Sequence, residues 1–168
     1  FKEKETRKLF SSGKYPARSI DLNIADLKAQ IAACEKGVNE LKKLLIFYGV
    51  KKVKSYLKIL RNNANNIAKN HIKNIIDRTY IYKMDDGLNG EKRQIKVSLS
   101  FDKKKDYLTI DFSGTSNQQN NNFNAPKPVT KAAIIYSLRL LTAENIPINA
   151  GFMDSVKIKI PPKTMLSP

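Results

Sequence analysis

The spacing of apolar residues changes at about Thr79 from a helical to a strand period, and that change sets the fold class. Before it, Leu27, Ile31, Cys34, Val38, Leu41 and Leu45 recur every three or four residues, which is one face of a helix. A second series of the same kind runs through Val53, Tyr56, Leu57, Leu60, Ala64, Ile67 and Ile75. After it, Ile95, Val97, Leu99 and Phe101 alternate with Lys96, Ser98, Ser100 and Asp102, and Leu108, Ile110 and Phe112 alternate with Thr109, Asp111 and Ser113. A period of two is a strand with one buried face. Helices first and strands afterwards predict an α+β fold.

The boundaries follow from local signals. Asn23, with Asp26 three residues on, starts a helix, and Gly49 stops it. A second helix over Lys51–Ile76 follows at once, so the pair reads as a long antiparallel helical hairpin. Strands are expected over Thr79–Asp85, Arg93–Asp102 and Tyr107–Phe112, joined by Asp86-Gly87/Asn89-Gly90 and by Lys103-Lys104-Lys105, as an antiparallel β-meander. Pro128 opens a third helix that is apolar on most sides and is expected to be buried. Asn145 and Pro147 end it, and Val156, Ile158 and Ile160 form a final strand stopped by Pro161-Pro162. We take residues 1–168 as a single domain: an extended lead-in over 1–19, the helical hairpin over 20–77, and sheet plus helix over 78–168.

Composition narrows the function classes. The net charge is +16, which raises nucleic acid or an anionic membrane surface as partners. Only six of the 31 basic residues are Arg, however, and the lysines are dispersed. Lys, Asn and Ile together fill 59 positions, as an AT-rich coding sequence would produce. Nucleic-acid binding therefore ranks last among the readings. No apolar run approaches the roughly 20 residues of a membrane helix. The single cysteine, Cys34, fits a reducing compartment, and the expected location is the cytoplasm. Cys34 on an apolar stripe reads as a buried structural thiol, and the lone His71 as a half-exposed helix residue. Asp85, Asp86, Asn89 and Glu91 lack the spacing of a calcium loop. No metal-ligand set, phosphate-binding glycine loop or nucleophile elbow is present, so no metal or cofactor is assigned to this segment.

Polar density is highest just past the third strand, in SGTSNQQNNNFN. Asp111, Thr115 and Ser116 are the candidates for catalysis, and Asn122, Asn124 and Asn149 for substrate binding. Amides and hydroxyls of this kind can hold a small polar amide or carboxylate. The plainer alternative is that they satisfy only their own backbone.

Four ordered blocks carry a resemblance: YPARSIDLNIADLKAQIAACEKGVNEL, IDFSGTSNQQNNNFNAP, NIPINAGF and KIKIPPKTMLSP. Together they resemble the B-type subunit of the hydantoinase B/oxoprolinase family, from about Ser12 to Pro168. The resemblance implies ATP-dependent opening of a lactam or hydantoin ring, with 5-oxoproline giving glutamate. It also implies ATP with Mg and a divalent metal for the complete enzyme, and as partners the remaining B-type segments and an A-type, ATP-using subunit. Self-association is a further partner to consider. Arg18, Asp26 and Gln30 lie in the first block as candidates for anchoring between domains. Phe152 stands where the resemblance leads us to expect cysteine. The chain starts at Phe1 and stops after Leu166-Ser167-Pro168, so we expect a piece of a longer chain, inactive alone. The competing readings are a non-catalytic remnant of a split or decayed gene and, last, a basic nucleic-acid binder.

Overall fold

The computed structural model describes residues 1–85, 92–121, 123–142 and 149–168. The expected Asp-Gly/Asn-Gly turn, the candidate Asn122 and the helix stop at Asn145 and Pro147 lie outside the described residues. The α+β class holds. In chain order the elements are α1 (Glu3–Ser11), α2 (Ile20–Tyr48), α3 (Val50–Ile72), β1 (Arg78–Asp85), β2 (Lys92–Asp102), β3 (Tyr107–Asp111), α4 (Lys127–Thr142), a 3-10 turn (Ala150–Met153) and β4 (Val156–Lys159). The chain divides into two compact units, Phe1–Tyr56 and Leu57–Pro168, where the sequence reading takes one domain.

In the first unit the lead-in is not extended throughout. Glu3–Ser11 is helical, and charge explains it: Arg7 pairs with Glu3 one turn away at 2.9 Å and with Asp21 at 2.6 Å, while Lys28 reaches Glu3 at 2.7 Å. These pairs tie α1 to the start of α2. That helix begins at Ile20, three residues before the expected cap, and ends at Gly49, whose φ of 81° a side-chain-bearing residue rarely adopts. The apolar stripe of α2 is present but not buried. Ile31, Val38, Leu41 and Leu44 are exposed, and so is Cys34, which corrects the expectation of a buried thiol. His71, on α3, is half-buried.

In the second unit β1, β2 and β3 form the expected antiparallel meander. β4 joins β3 in parallel, so the sheet is mixed. The reason is the connection: a strand that returns through a helix of α4's length arrives parallel, whereas a tight turn reverses it. Register places Phe101 opposite Leu108, Leu99 opposite Ile110, and Val156 and Ile158 beside the same two β3 residues, giving one apolar face. The core gathers there. It takes Ala64, Ala68 and Ile72 from α3, Leu108, Ile110 and Phe112 from β3 and its end, Ile134 and Leu138 from α4, and Phe152, Met165 and Leu166. The alanines at four-residue spacing let α3 approach closely. Helix α4 is buried on one stripe only, Thr130, Ile134, Leu138 and Thr142, with Tyr136, Leu140 and Leu141 exposed; its expected all-round burial is corrected accordingly.

Candidate functional site

The polar loop is built as an extension of the sheet. β3 pairs with β2 only as far as Asp111, opposite Ser98, so the β2 backbone at Lys96 and Gln94 still needs partners. Side chains supply them. The Thr115 hydroxyl accepts from the Lys96 amide at 3.1 Å and donates to the Lys96 carbonyl at 3.1 Å. The Ser116 hydroxyl accepts from the Gln94 amide at 3.0 Å, and the Ser116 amide donates to the Gln94 carbonyl at 3.0 Å. Both hydroxyls stand in for strand backbone. Beyond them the loop binds the C-terminal segment: Gln118 N–H donates to Lys163 O, Met165 N–H to Ser116 O, and Ala125 N–H to Met165 O. Asn124 closes the loop on itself. Its Oδ1 accepts from the Gln119 amide at 2.9 Å, and its Nδ2 donates to the carbonyls of Gln119 and Asn121.

Asp111 points away from the apolar face, as the alternation requires. Its Oδ1 accepts from the Ser113 amide at 2.7 Å, and its Oδ2 meets Lys159 Nζ at 3.0 Å. Hydrogen bonding from the Ser113 side chain, then Lys159 and the Ser113 amide, outweigh partial burial and hold its pKa at about 2, down from 3.8. A carboxylate this acidic is a poor proton acceptor at neutral pH. The lowered value predicts a pH signature. Its stabilisation is complete above about pH 4 and is lost as pH falls towards about 2. Asp111→Asn is expected to lower stability at pH 7 by about 1 kcal/mol, discounted for the partly exposed Lys159 partner. The gap between variant and parent in urea midpoint should close on acidification to about pH 2; a gap independent of pH would assign the effect to another cause.

Asn149 sits in a second cluster, against α3. Its Oδ1 accepts from the Gly151 amide at 2.8 Å, capping the 3-10 turn, and its Nδ2 donates to the Leu60 carbonyl at 3.3 Å. Around it, Arg61 forms a two-pronged pair with Asp154, 2.7 Å on each prong, and the Ser155 hydroxyl donates to Asn65 Oδ1 at 2.8 Å. The Arg61 guanidinium holds the Asp154 carboxyl below the usual carboxylate range. Gly151 lies so close to α3 that a Cβ there would fall 2.0 Å from the Arg61 carbonyl oxygen. Phe152 is buried in the core beside it, so where the resemblance led us to expect cysteine this chain packs an aromatic ring. A hollow of about 270 Å³ adjoins this cluster, with Asn149, Phe152 and Arg139 in its wall.

The candidates thus fall in two places: Asp111, Thr115, Ser116 and Asn124 along the sheet and its loop, and Asn149 at the 3-10 turn that packs against α3. Arg18, two residues before α2, and Asp26 and Gln30 within it are all exposed. Sequence reasoning missed Arg61, Asn65, Asp154, Ser155 and Lys159, whose partners lie 48 to 93 residues away. Nothing local marks such pairs. Among the described residues no three His, Cys, Asp or Glu side chains are grouped to hold a metal ion. No described helix is long and apolar enough to cross a membrane.

This layout is that of a known fold. The chain matches the ATP-dependent caprolactamase from Pseudomonas jessenii with a TM-score of 0.71, over 99% of this chain and 28% of that one, at 20% identity. At that identity the likeness is one of fold. The chain belongs to the hydantoinase B/oxoprolinase family, whose sequence profile matches residues 2–168. It is 35% identical to 5-oxoprolinase 1 of Arabidopsis thaliana over 162 residues, 90% of this chain and 13% of that protein. It is also 35% identical to 5-oxoprolinase of Saccharomyces cerevisiae over 176 residues, 100% of this chain and 14% of that protein. The 5-oxoprolinase of Dictyostelium discoideum is 33% identical over 177 residues, 100% of this chain and 13% of that protein. The chain therefore spans about an eighth to a seventh of the length of the curated 5-oxoprolinases it matches.

Proposed function

We propose that this chain is a segment of the B-type polypeptide of an ATP-dependent cyclic-amide hydrolase, with 5-oxoproline to glutamate as its first candidate reaction. The observation that carries this reading is the 35% identity to two 5-oxoprolinases over nearly the whole chain. A lactam is a stabilised amide. Phosphorylating its oxygen from ATP makes the carbon a better electrophile; water adds there, the ring C–N bond breaks to release the amine and leave an acyl phosphate, and a second water displaces phosphate to give the carboxylate. Negative charge developing on the way needs preorganised donors. In this proposal the A-type partner carries the phosphorylation and the B-type chain the hydrolysis.

This chain's own share is positioning. Thr115 and Ser116 hold the polar loop against β2, Asn124 closes that loop on itself, and Asn149 with Gly151 holds the 3-10 turn on α3. Because these side chains are engaged with backbone, the segment is proposed to be inactive alone and to act within the longer polypeptide. The test is ATP-dependent release of glutamate from 5-oxoproline. The chain alone is compared with an assembly that adds the remaining B-type segments and the A-type partner. Turnover only in the assembly is the expected result. No turnover in either, with the partner's ATPase intact, would favour a decayed chain or another cyclic amide, and substituted hydantoins then decide between those two.

A further inference from the structure

Helix α4 covers only part of the apolar face of the sheet. Register sets Tyr80 opposite Val97 and Tyr82 opposite Ile95, on the face that also carries Leu108 and Ile110. Leu108 and Ile110 are buried, yet Tyr80 is 50% and Tyr82 68% exposed, and Ile95, Val97 and Leu99 are half-buried. Between this side of the sheet and α4 runs an open cleft of about 440 Å³. Its walls include Ile95, Val97, Leu99, Ile134 and Leu141, and among the described residues Thr130 and Ser137 are its only polar side chains.

We propose that this cleft, with the bare β1–β2 face beside it, seats an apolar segment of the longer family polypeptide, from outside the stretch this chain matches. Three observations select that occupant. The first is length. The matched stretch is 13% to 14% of the 5-oxoprolinases and 28% of the caprolactamase, so most of the polypeptide able to cover this face lies elsewhere in such proteins. The second is lining. The volume suits a small ligand, but a small-molecule site carries several convergent polar groups. Here there are two hydroxyls, and both are already engaged: Thr130 donates to the Leu166 carbonyl and Ser137 to the Ala133 carbonyl. The third is charge. At +16 a second copy of this chain is opposed by like-charge repulsion, whereas a segment with acidic residues flanking its apolar centre is attracted.

Tyr80 and Tyr82 are natural probes of the proposal. Their oxidation by hydroxyl radicals is followed in this chain alone and in a chimera, isolated as a folded species, in which this chain replaces the matched stretch of the Saccharomyces cerevisiae 5-oxoprolinase. Both tyrosines should oxidise at least five-fold more slowly in the chimera. A cysteine introduced by Ser137→Cys, in a Cys34→Ser background, should show the same protection from maleimide; if that variant does not fold, the tyrosines of the unsubstituted protein still decide. Equal oxidation in both proteins overturns the proposal. Protection that instead grows with concentration in the chain alone also overturns it, by seating a second copy there. The inference rests on family membership and not on the proposed reaction, so protection without turnover keeps the interface and rejects only the reaction.

Discussion

Gly151→Ala is expected to destabilise the Leu57–Pro168 unit by about 3 kcal/mol, the upper part of the usual range for overpacking. The new methyl would stand 2.0 Å from the Arg61 carbonyl oxygen and 2.7 Å from its carbon. Both are backbone atoms of a helix, and neither can swing aside as a side chain would. Relief requires the 3-10 turn to lift from α3. That movement strains the Asn149 bond to Leu60, the Arg61–Asp154 pair and the burial of Phe152 together. In urea the midpoint should fall by roughly 1–2 M. Gly37→Ala is the control with the opposite sign. Nothing lies within 4 Å of its added methyl, and replacing a glycine inside α2 should stabilise the helix by up to about 1 kcal/mol. Equal effects of the two substitutions would show that the close approach at Gly151 does not exist in solution.

Leu108→Ala should cost about 3 kcal/mol, within the range for truncating a buried leucine. Leu108 is fully buried and central to the sheet, facing Phe101 of β2 on one side and Val156 of β4 on the other. Leu108→Met, which nearly conserves volume, should cost under about 1.5 kcal/mol. Thr109→Ala, one residue on and on the opposite face, should stay within about 0.5 kcal/mol. Comparable losses at 108 and 109 would mean that the strand does not present its faces as described.

Most of the fold was legible because its signals are local. Period three to four marked α2 and α3, period two marked β1, β2 and β3, and Gly49 placed the helix end within a residue. Two misjudged features depend on what surrounds an element. Cys34 lies on a clear apolar stripe, and a stripe reports which face could be buried, not whether anything covers it. Helix α4 reads as apolar on most sides, but only the stripe through Ile134 and Leu138 meets the core. The parallel placement of β4 needed the length of the α4 crossover to be weighed. Helix α1 depends on pairs such as Arg7 with Asp21, which span two elements.

The candidate site was legible as a polar stretch and not as a set of roles. Thr115 and Ser116 stood out by composition, and their use as substitutes for strand backbone emerges only once β3 is seen to stop at Asp111. Asn124 follows the plainer alternative, satisfying carbonyls of its own loop. Asn149 does so in part and also reaches α3.

The grip of Asp154 on Arg61 has a consequence for synthesis. The two residues are 93 positions apart, and helix α3 is made first. At ribosomal rates of about 5–20 residues per second, Arg61 waits roughly 5–20 s for its partner to be added. Throughout that interval the Ala64–Ala68–Ile72 face of the nascent helix has neither the complete sheet nor Phe152 to pack against. The meander forms from near neighbours in the meantime, so this helix face is the part of the core left uncovered longest while translation proceeds.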